Sequence, residues 1–260
     1  MKYKEIVFEK RDNIAYLTFN RPERMNTIRL ETIEELTSAI TDIDKDNTMG
    51  AVVVRGKGKA FCVGGDISVF SKITLQGGRE IAEQCIRLAS AMRGMGKPII
   101  AAVNGFCMGW GLEFVSFCDL SIATEDAEFE QTELKVGSSP MFGATQMFPL
   151  FMGDKRAREA IFLSKRFSAK EAAEWGLINK VVPPAGLDKA VDEWCKRILT
   201  MSPQSTRVAK AALNVLPDIL MTALRHGLVI GPLLWVSPEG REAMNAFMEK
   251  RKPDFMQFRK

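Results

Sequence analysis

Apolar and polar residues alternate over the first stretch of the chain and then change period. Glu5–Glu9 and Ile14–Phe19 alternate two by two, which predicts paired strands around a turn at Arg11-Asp-Asn13. Asn20-Arg-Pro-Glu-Arg-Met-Asn26 reads as a loop. From Leu30 the period becomes helical, with Leu30, Ile33, Leu36, Ile40 and Ile43 on one face. Gly50–Arg55 predicts a short buried strand and Glu80–Met95 a second helix. Pro98–Val103 and Leu120–Ala123 predict two more buried strands. Strand and helix alternate in this way over roughly the first 185 residues, so the expected class is an α/β core with mostly buried strands. From Asp188 onward the pattern is helix after helix, with starts expected at Ser202-Pro203, Pro217 and Ser237-Pro238, where a cap residue or a proline sits. The chain divides into an α/β core over residues 1–200 and a helical region over 201–260.

Composition narrows the function classes. The 260 residues are 46% hydrophobic and 26% charged, as in ordinary globular proteins. No apolar run reaches the roughly 18 residues of a membrane span. The start resembles neither a signal peptide nor a transit sequence, so a cytoplasmic location is expected. Five scattered cysteines without a C-x-x-C pair argue against a disulfide framework and a zinc site. They read as small buried thiols rather than nucleophiles. A single histidine, His226 in a Met/Leu-rich helical stretch, leaves little room for a Ser-His-Asp triad, a Cys-His dyad or a multi-histidine metal site. The net charge of +4 is mild and dispersed. It suits a small anionic ligand at least as well as nucleic acid.

Two carboxylates stand out. Glu113 lies in Gly109-Trp-Gly-Leu-Glu-Phe-Val-Ser-Phe-Cys118, otherwise almost free of charge, and Glu133 lies in a turn-like segment before Lys135-Val-Gly-Ser-Ser139. A carboxylate in an apolar helix costs several kcal/mol or takes a raised pKa, and is tolerated chiefly where proton transfer is the task. The bland reading of Glu113 is a buried partner of an arginine. Two glycine segments, Lys59-Ala-Phe-Cys-Val-Gly-Gly-Asp66 and Asn104–Glu113, each follow a buried strand and lead toward a helix. Such turns leave backbone N–H groups free, for a phosphate or for a carbonyl oxygen in an oxyanion hole. Their spacing fits neither a dinucleotide fingerprint nor a P-loop. By themselves they are better read as tight strand-to-helix turns, and Glu113, one helical turn after the second, is what favours a site.

Pro98-Ile-Ile-Ala-Ala-Val-Asn-Gly105, Gly109-x-Gly-x-Glu113, Cys118-Asp-Leu-Ser-Ile-Ala123 and Phe129-x-Gln-x-Glu133-x-x-x-Gly137 together resemble the crotonase (enoyl-CoA hydratase/isomerase) superfamily. The likeness starts at Asn20-Arg-Pro, passes through Ala60-Phe-x-x-Gly-Gly-Asp66 and Ser168-Ala-Lys-Glu-Ala-x-x-x-Gly-Leu-Ile-Asn-Lys-Val181, and ends at Phe247-Met-Glu-Lys-Arg-Lys252. It implies a spiral of ββα units with a helical C-terminal region for oligomerisation and pocket closure, assembled as a homotrimer or a dimer of trimers. The implied ligand is an acyl-coenzyme A thioester. The backbone N–H groups of Gly65 and Trp110 would form the oxyanion hole, Glu113 and Glu133 would be the acid/base pair, and the Met141 N–H would help hold water. Lys59, Ala60, Gly64, Asp66, Ile67, Phe247 and Lys250 match coenzyme A-binding positions, the last two toward a neighbouring subunit.

The implied reaction adds water to an α,β-unsaturated thioester. It needs an oxyanion hole, one carboxylate to take a proton and one carboxylic acid to give one, and no metal or redox cofactor. Three features depart from the family pattern. Trp110 fills the middle of a three-glycine turn, Glu130 stands where glycine is common, and Ser139-Pro-Met-Phe142 replaces a smaller loop. The segments Gln131-Thr132 and Lys135–Ser138 and the tail Arg251–Phe255 also resemble the ring-forming and ring-opening branch, such as dihydroxynaphthoyl-CoA synthase and ketocyclohexane-carboxyl-CoA hydrolase. In that branch the slot of Glu113 is usually not acidic, and its loop aspartate falls at Pro140 here. A Δ3,Δ2-enoyl-CoA isomerase generally needs one carboxylate. An RNA-binding member of the fold would need a basic helix, and Lys155, Arg156, Arg158 and Lys165 form only a modest cluster.

Overall fold

The computed structural model describes residues 3–259; Met1 and Lys2 of the opening segment lie outside it. Strands β1 (Ile6–Arg11) and β2 (Ile14–Phe19) form the expected antiparallel hairpin, followed by α1 (Leu30–Lys45). The chain then repeats one motif three times. Strand β3 (Ala51–Gly56) is followed by β4 (Ala60–Cys62), short α2 (Ile67–Phe70) and long α3 (Leu75–Gly94). Strand β5 (Ile99–Val103) is followed by β6 (Phe106–Met108) and α4 (Trp110–Phe117). Strand β7 (Leu120–Thr124) is followed by β8 (Glu128–Glu130), a 3-10 turn at Glu133–Val136 and α5 (Ala144–Met152).

In each repeat the first strand joins one sheet and the second joins another. The larger sheet has the order β1-β2-β3-β5-β7-β10 and the smaller β4-β6-β8-β9. Between them the chain continues through α6 (Asp154–Phe162), β9 (Phe167–Ser168), α7 (Ala169–Glu174) and β10 (Lys180–Val182). Pairing is parallel within the repeats, and β1 and β9 close the sheets antiparallel. This is the spiral of ββα units. Because β4, β6 and β8 run parallel in neighbouring register, their C-terminal ends emerge side by side, and the three turns that follow them share one space.

Gly105 shows how the chain leaves one sheet for the other. Its φ of +67° is left-handed, and a Cβ there would stand 2.0 Å from the Lys59 carbonyl oxygen. Only glycine allows both the turn and the contact.

Helix α8 (Leu187–Leu199) packs on the larger sheet, and the helical region holds α9 (Pro203–Ile219), α10 (Met221–Val236) and α11 (Pro238–Met248). Helix α10 lies along α3, where Gly78 admits Pro232 and Trp235; a Cβ at 78 would come within 2.8 Å of Pro232 Cβ. Two expectations need correction. Helix α3 begins at Leu75 rather than Glu80, because Thr74 caps it by accepting from Gly77 N (3.1 Å) and Gly78 is a packing site for α10 rather than a break. Pro217 does not start a helix. It sits in the last turn of α9, and the break comes at Leu220. A proline there gives up one N–H bond near a frayed end, which costs less than in mid-helix. Among the described residues no single helix is long and apolar enough to cross a membrane.

Candidate active site

The three turns after β4, β6 and β8 surround a cavity of about 810 Å³. The first turn brings Gly64 and Gly65. Gly64 has φ +98°, and a Cβ on it would lie 3.6 Å from the backbone nitrogen of Trp110, so the first and second turns face each other closely. Gly65 N–H and Trp110 N–H both lack a hydrogen-bond partner among the described residues. Trp110 is the first residue of α4, whose N-terminal amides cannot bond within the helix.

The second turn also explains the Gly-Trp-Gly spacing. Gly109 adopts φ 52°, ψ −126°, and its N–H donates to the Glu130 carbonyl (2.9 Å). Gly111 lets α4 approach β4, since a Cβ there would stand 2.3 Å from the Cys62 carbonyl oxygen. Position 110 faces the cavity, so it admits a large ring. The indole is 7% exposed, stacked on Phe142 (4.8 Å between centroids, 17° between planes) and tilted against Phe114 at 5.4 Å. Its N–H faces the buried Cys85 thiol without hydrogen-bond geometry.

Glu113 sits one helical turn beyond Trp110 and is 2% exposed. Among the described residues no arginine pairs with it. Its Oε1 accepts from Phe142 N (2.9 Å) and Ala144 N (3.0 Å), the latter the first residue of α5. Gly143, at φ +112°, turns the chain so that both amides point at one oxygen. Burial pushes the Glu113 carboxyl well above the usual range and the Glu133 charge adds to this, while the N–H groups of Ala144, Phe142 and Met141 pull against it. Oε2 has no protein partner among the described residues.

Glu133 opens the third turn and is partly buried. Its Oε2 accepts from Gln131 Nε2 at 2.7 Å. Burial drives its pKa up to about 7; its own N–H, Gln131 and the Thr132 N–H oppose the rise, and Glu130 adds to it. Both glutamates line the cavity. Two carboxyls whose pKa values are both raised in one cavity bind a proton more readily than free carboxyls do.

The inner wall is apolar and aromatic, built from Phe70, Ile81, Cys85, Phe142, Leu228 and Trp235. Trp235 meets Phe70 edge-on at 4.8 Å and donates to Ser138 Oγ (2.8 Å).

A model of the enoyl-CoA hydratase/isomerase family matches residues 9–259. The chain belongs to that family. Among its curated relatives, a crotonyl-CoA hydratase of Syntrophomonas wolfei is 34% identical over 264 residues, covering 98% of this chain and 99% of the relative. A short-chain-enoyl-CoA hydratase of Clostridium acetobutylicum is 33% identical, covering 97% of each. The crystal structure of an enoyl-CoA hydratase from Mycobacterium avium subsp. paratuberculosis superposes with a TM-score of 0.89 at 26% identity, covering 98% of this chain and 99% of that one.

Of the family positions named from the sequence, Gly64, Gly65, Asp66, Ile67, Trp110, Glu113, Glu133, Met141 and Phe247 line the cavity. Lys59, Ala60 and Lys250 do not. Ala60 is fully buried, with its carbonyl held by Asn26 Nδ2 (2.7 Å). The Asp66 carboxylate is committed to capping α2 at Ser68 and to Arg21 (2.9 Å). The third carboxylate, Glu130, is paired with Lys135 and with Arg166 (3.0 Å). Two of the four cations of the basic cluster in and after α6 are paired, Arg158 with Asp154 (2.8 Å) and Lys165 with Glu159 (3.2 Å). Sequence reasoning missed Phe142 and Ala144 as the amides that hold Glu113, Gln131 beside Glu133, and Glu23, Arg24 and Met25 at the cavity rim. The Asn20-Arg-Pro loop signalled the last three.

Proposed function

We propose that this family member is an enoyl-CoA hydratase, adding water reversibly across the α,β double bond of a short acyl-CoA thioester. What carries this reading is the placement of two proton-holding carboxyls, Glu113 and Glu133, in one cavity with two unpartnered N–H groups, Gly65 and Trp110. In this reading the two amides hold the thioester oxygen as it gains enolate charge, each donor lowering the barrier by about 3–4 kcal/mol. One glutamate takes a proton from water and the other delivers one to the α-carbon. The free Oε2 of Glu113, with the Met141 N–H nearby, suits the water. An isomerase would need only one such group.

The names of the two relatives support a short acyl group. Gly64, Asp66, Ile67 and Phe247 would contact coenzyme A along the cavity. Lys59 and Lys250, outside it, would act on the ligand's polar end or on that of a neighbouring copy. The reaction as proposed calls for no cofactor. A screen of hydration and dehydration over linear, branched and cyclic enoyl-CoAs tests the assignment; turnover of a short linear substrate supports it, and absence of hydration across the panel contradicts it.

A further inference from the structure

Glu130 is the buried carboxylate that the chemistry above leaves unused. Its side chain is 4% exposed, whereas those of its partners Lys135 and Arg166 are 56% and 54% exposed. Lys135 takes one carboxylate oxygen, and Arg166 Nε takes the other at 3.0 Å. Each partner comes from a different piece of the site. Lys135 belongs to the 3-10 turn that begins at Glu133, and Arg166 stands just before β9 and also pairs with Glu128 (2.8 Å). The Glu130 backbone reaches a third piece, since its carbonyl accepts from Gly109 N, the residue before Trp110. One residue at the end of β8 therefore ties together the turn carrying Glu133, the turn carrying the Trp110 amide and the strand β9.

We propose that Glu130, clamped by Lys135 and Arg166, is a positioning residue for Glu133: it fixes the 3-10 turn against the Gly109 turn and sets the local field in which Glu133 holds its proton. The inference rests on the hydratase reading for its kinetic consequences but not for its electrostatic ones.

The other charges around Glu133 are accounted for. Glu113 faces it from α4, and Glu128 shares Arg166. On α11, which packs against the turn, Arg241 is bound to the carbonyls of Ser71 and Ile73 (2.6 Å), Glu242 is bound to Arg251, and Glu239 is exposed. Glu23 and Arg24 lie exposed at the rim. Glu130 adds negative potential at Glu133, and its two cations offset part of it. Half-exposed cations are screened by solvent, so the buried carboxylate should dominate.

The test is a pH titration of the Glu133 carboxyl by isotope-edited infrared spectroscopy on the full-length protein, with the band assigned by its loss in Glu133→Gln. Glu130→Gln should move the titration down by roughly one pH unit, and Lys135→Gln should move it up by a smaller step. In steady-state assays Glu130→Gln should lower kcat about tenfold while KM stays within about threefold, because a misplaced acid/base group affects turnover before binding. Lys135→Gln changes a half-exposed side chain outside the cavity lining and remains informative if Glu130→Gln fails to fold. An unmoved titration, shifts of the same sign in both variants, or a raised KM at unchanged kcat would overturn the proposal. The titration needs no turnover, so it decides this point even if wild-type protein hydrates no enoyl-CoA, a result that would sink the hydratase reading alone.

Discussion

The Cα of Gly109 and the carboxylate of Glu133 are packed so closely that a Cβ on residue 109 would stand 2.8 Å from Glu133 Oε1 and 3.0 Å from Thr132 Oγ1. The second strand-to-helix turn is shaped by the acid that faces it as much as by the helix it opens. Gly109→Ala should therefore do two kinds of damage. The φ of 52° with ψ −126° strains any residue with a Cβ, at a cost on the order of 1–3 kcal/mol. Displacing Glu133 by even about 1 Å should also lower kcat by about 10²-fold. Urea midpoints and kcat measured together check both effects; a variant with normal turnover would show that the contact does not matter.

The raised pKa values predict a pH-dependent stability cost. Glu133 titrates near 7 in the fold against an ordinary value of 4.5, and Glu113 is raised as well. A group raised in this way favours the folded state below the unfolded pKa and loses that contribution as pH rises through the folded one. Glu133→Gln keeps the shape without the charge. It should match wild type near pH 4 and exceed it at pH 8 by on the order of 1–3 kcal/mol. Denaturation at the two pH values checks the sign, and a variant less stable at pH 8 would contradict it.

Trp110 fills space against Phe142 at the apolar end of the cavity. Trp110→Leu should raise kcat/KM for longer enoyl-CoAs relative to the four-carbon substrate, at a stability cost of about 1–3 kcal/mol for the lost ring contacts. A chain-length series on both proteins reads this directly. An unchanged profile would mean that the indole serves the core and not the pocket.

Helices α9 and α10 leave Leu213, Val215, Leu216, Ile219, Val229 and Leu233 exposed, Leu213 at 77%. That many exposed large apolar residues on two consecutive helices is unusual for a monomer. Light scattering should give a trimer or hexamer, and Leu213→Glu with Ile219→Glu should dissociate it. A fully active monomer in dilute solution would contradict the expectation.

The β1–β2 hairpin, α1 and the buried parallel strands were legible from periodicity, because period two, period 3.6 and continuous apolar runs are local signals. Strands β4, β6 and β8 were not. At three residues each they are too short to show a period, and Ala60–Cys62 and Phe106–Met108 read as parts of glycine turns. Their pairing in a second sheet is a non-local fact. The two glutamates announced themselves by charge in apolar or turn-like surroundings. The amides of Phe142 and Ala144 could not, since a backbone N–H has no residue identity and only the left-handed turn at Gly143 aims them at Glu113. Pro217 misled because proline marks both the first turn and the last turn of helices.

The hydratase account stands or falls on the two carboxyls acting together. The most direct measurement follows the loss of the conjugated thioester chromophore of crotonyl-CoA with wild type, Glu113→Gln and Glu133→Gln, alongside binding of a saturated acyl-CoA. General acid–base groups contribute about 10²- to 10⁴-fold, so each variant should lose turnover in that range while binding the saturated ligand nearly as well as wild type. Wild-type rates in both variants, or losses matched by equal losses in binding, would contradict the account.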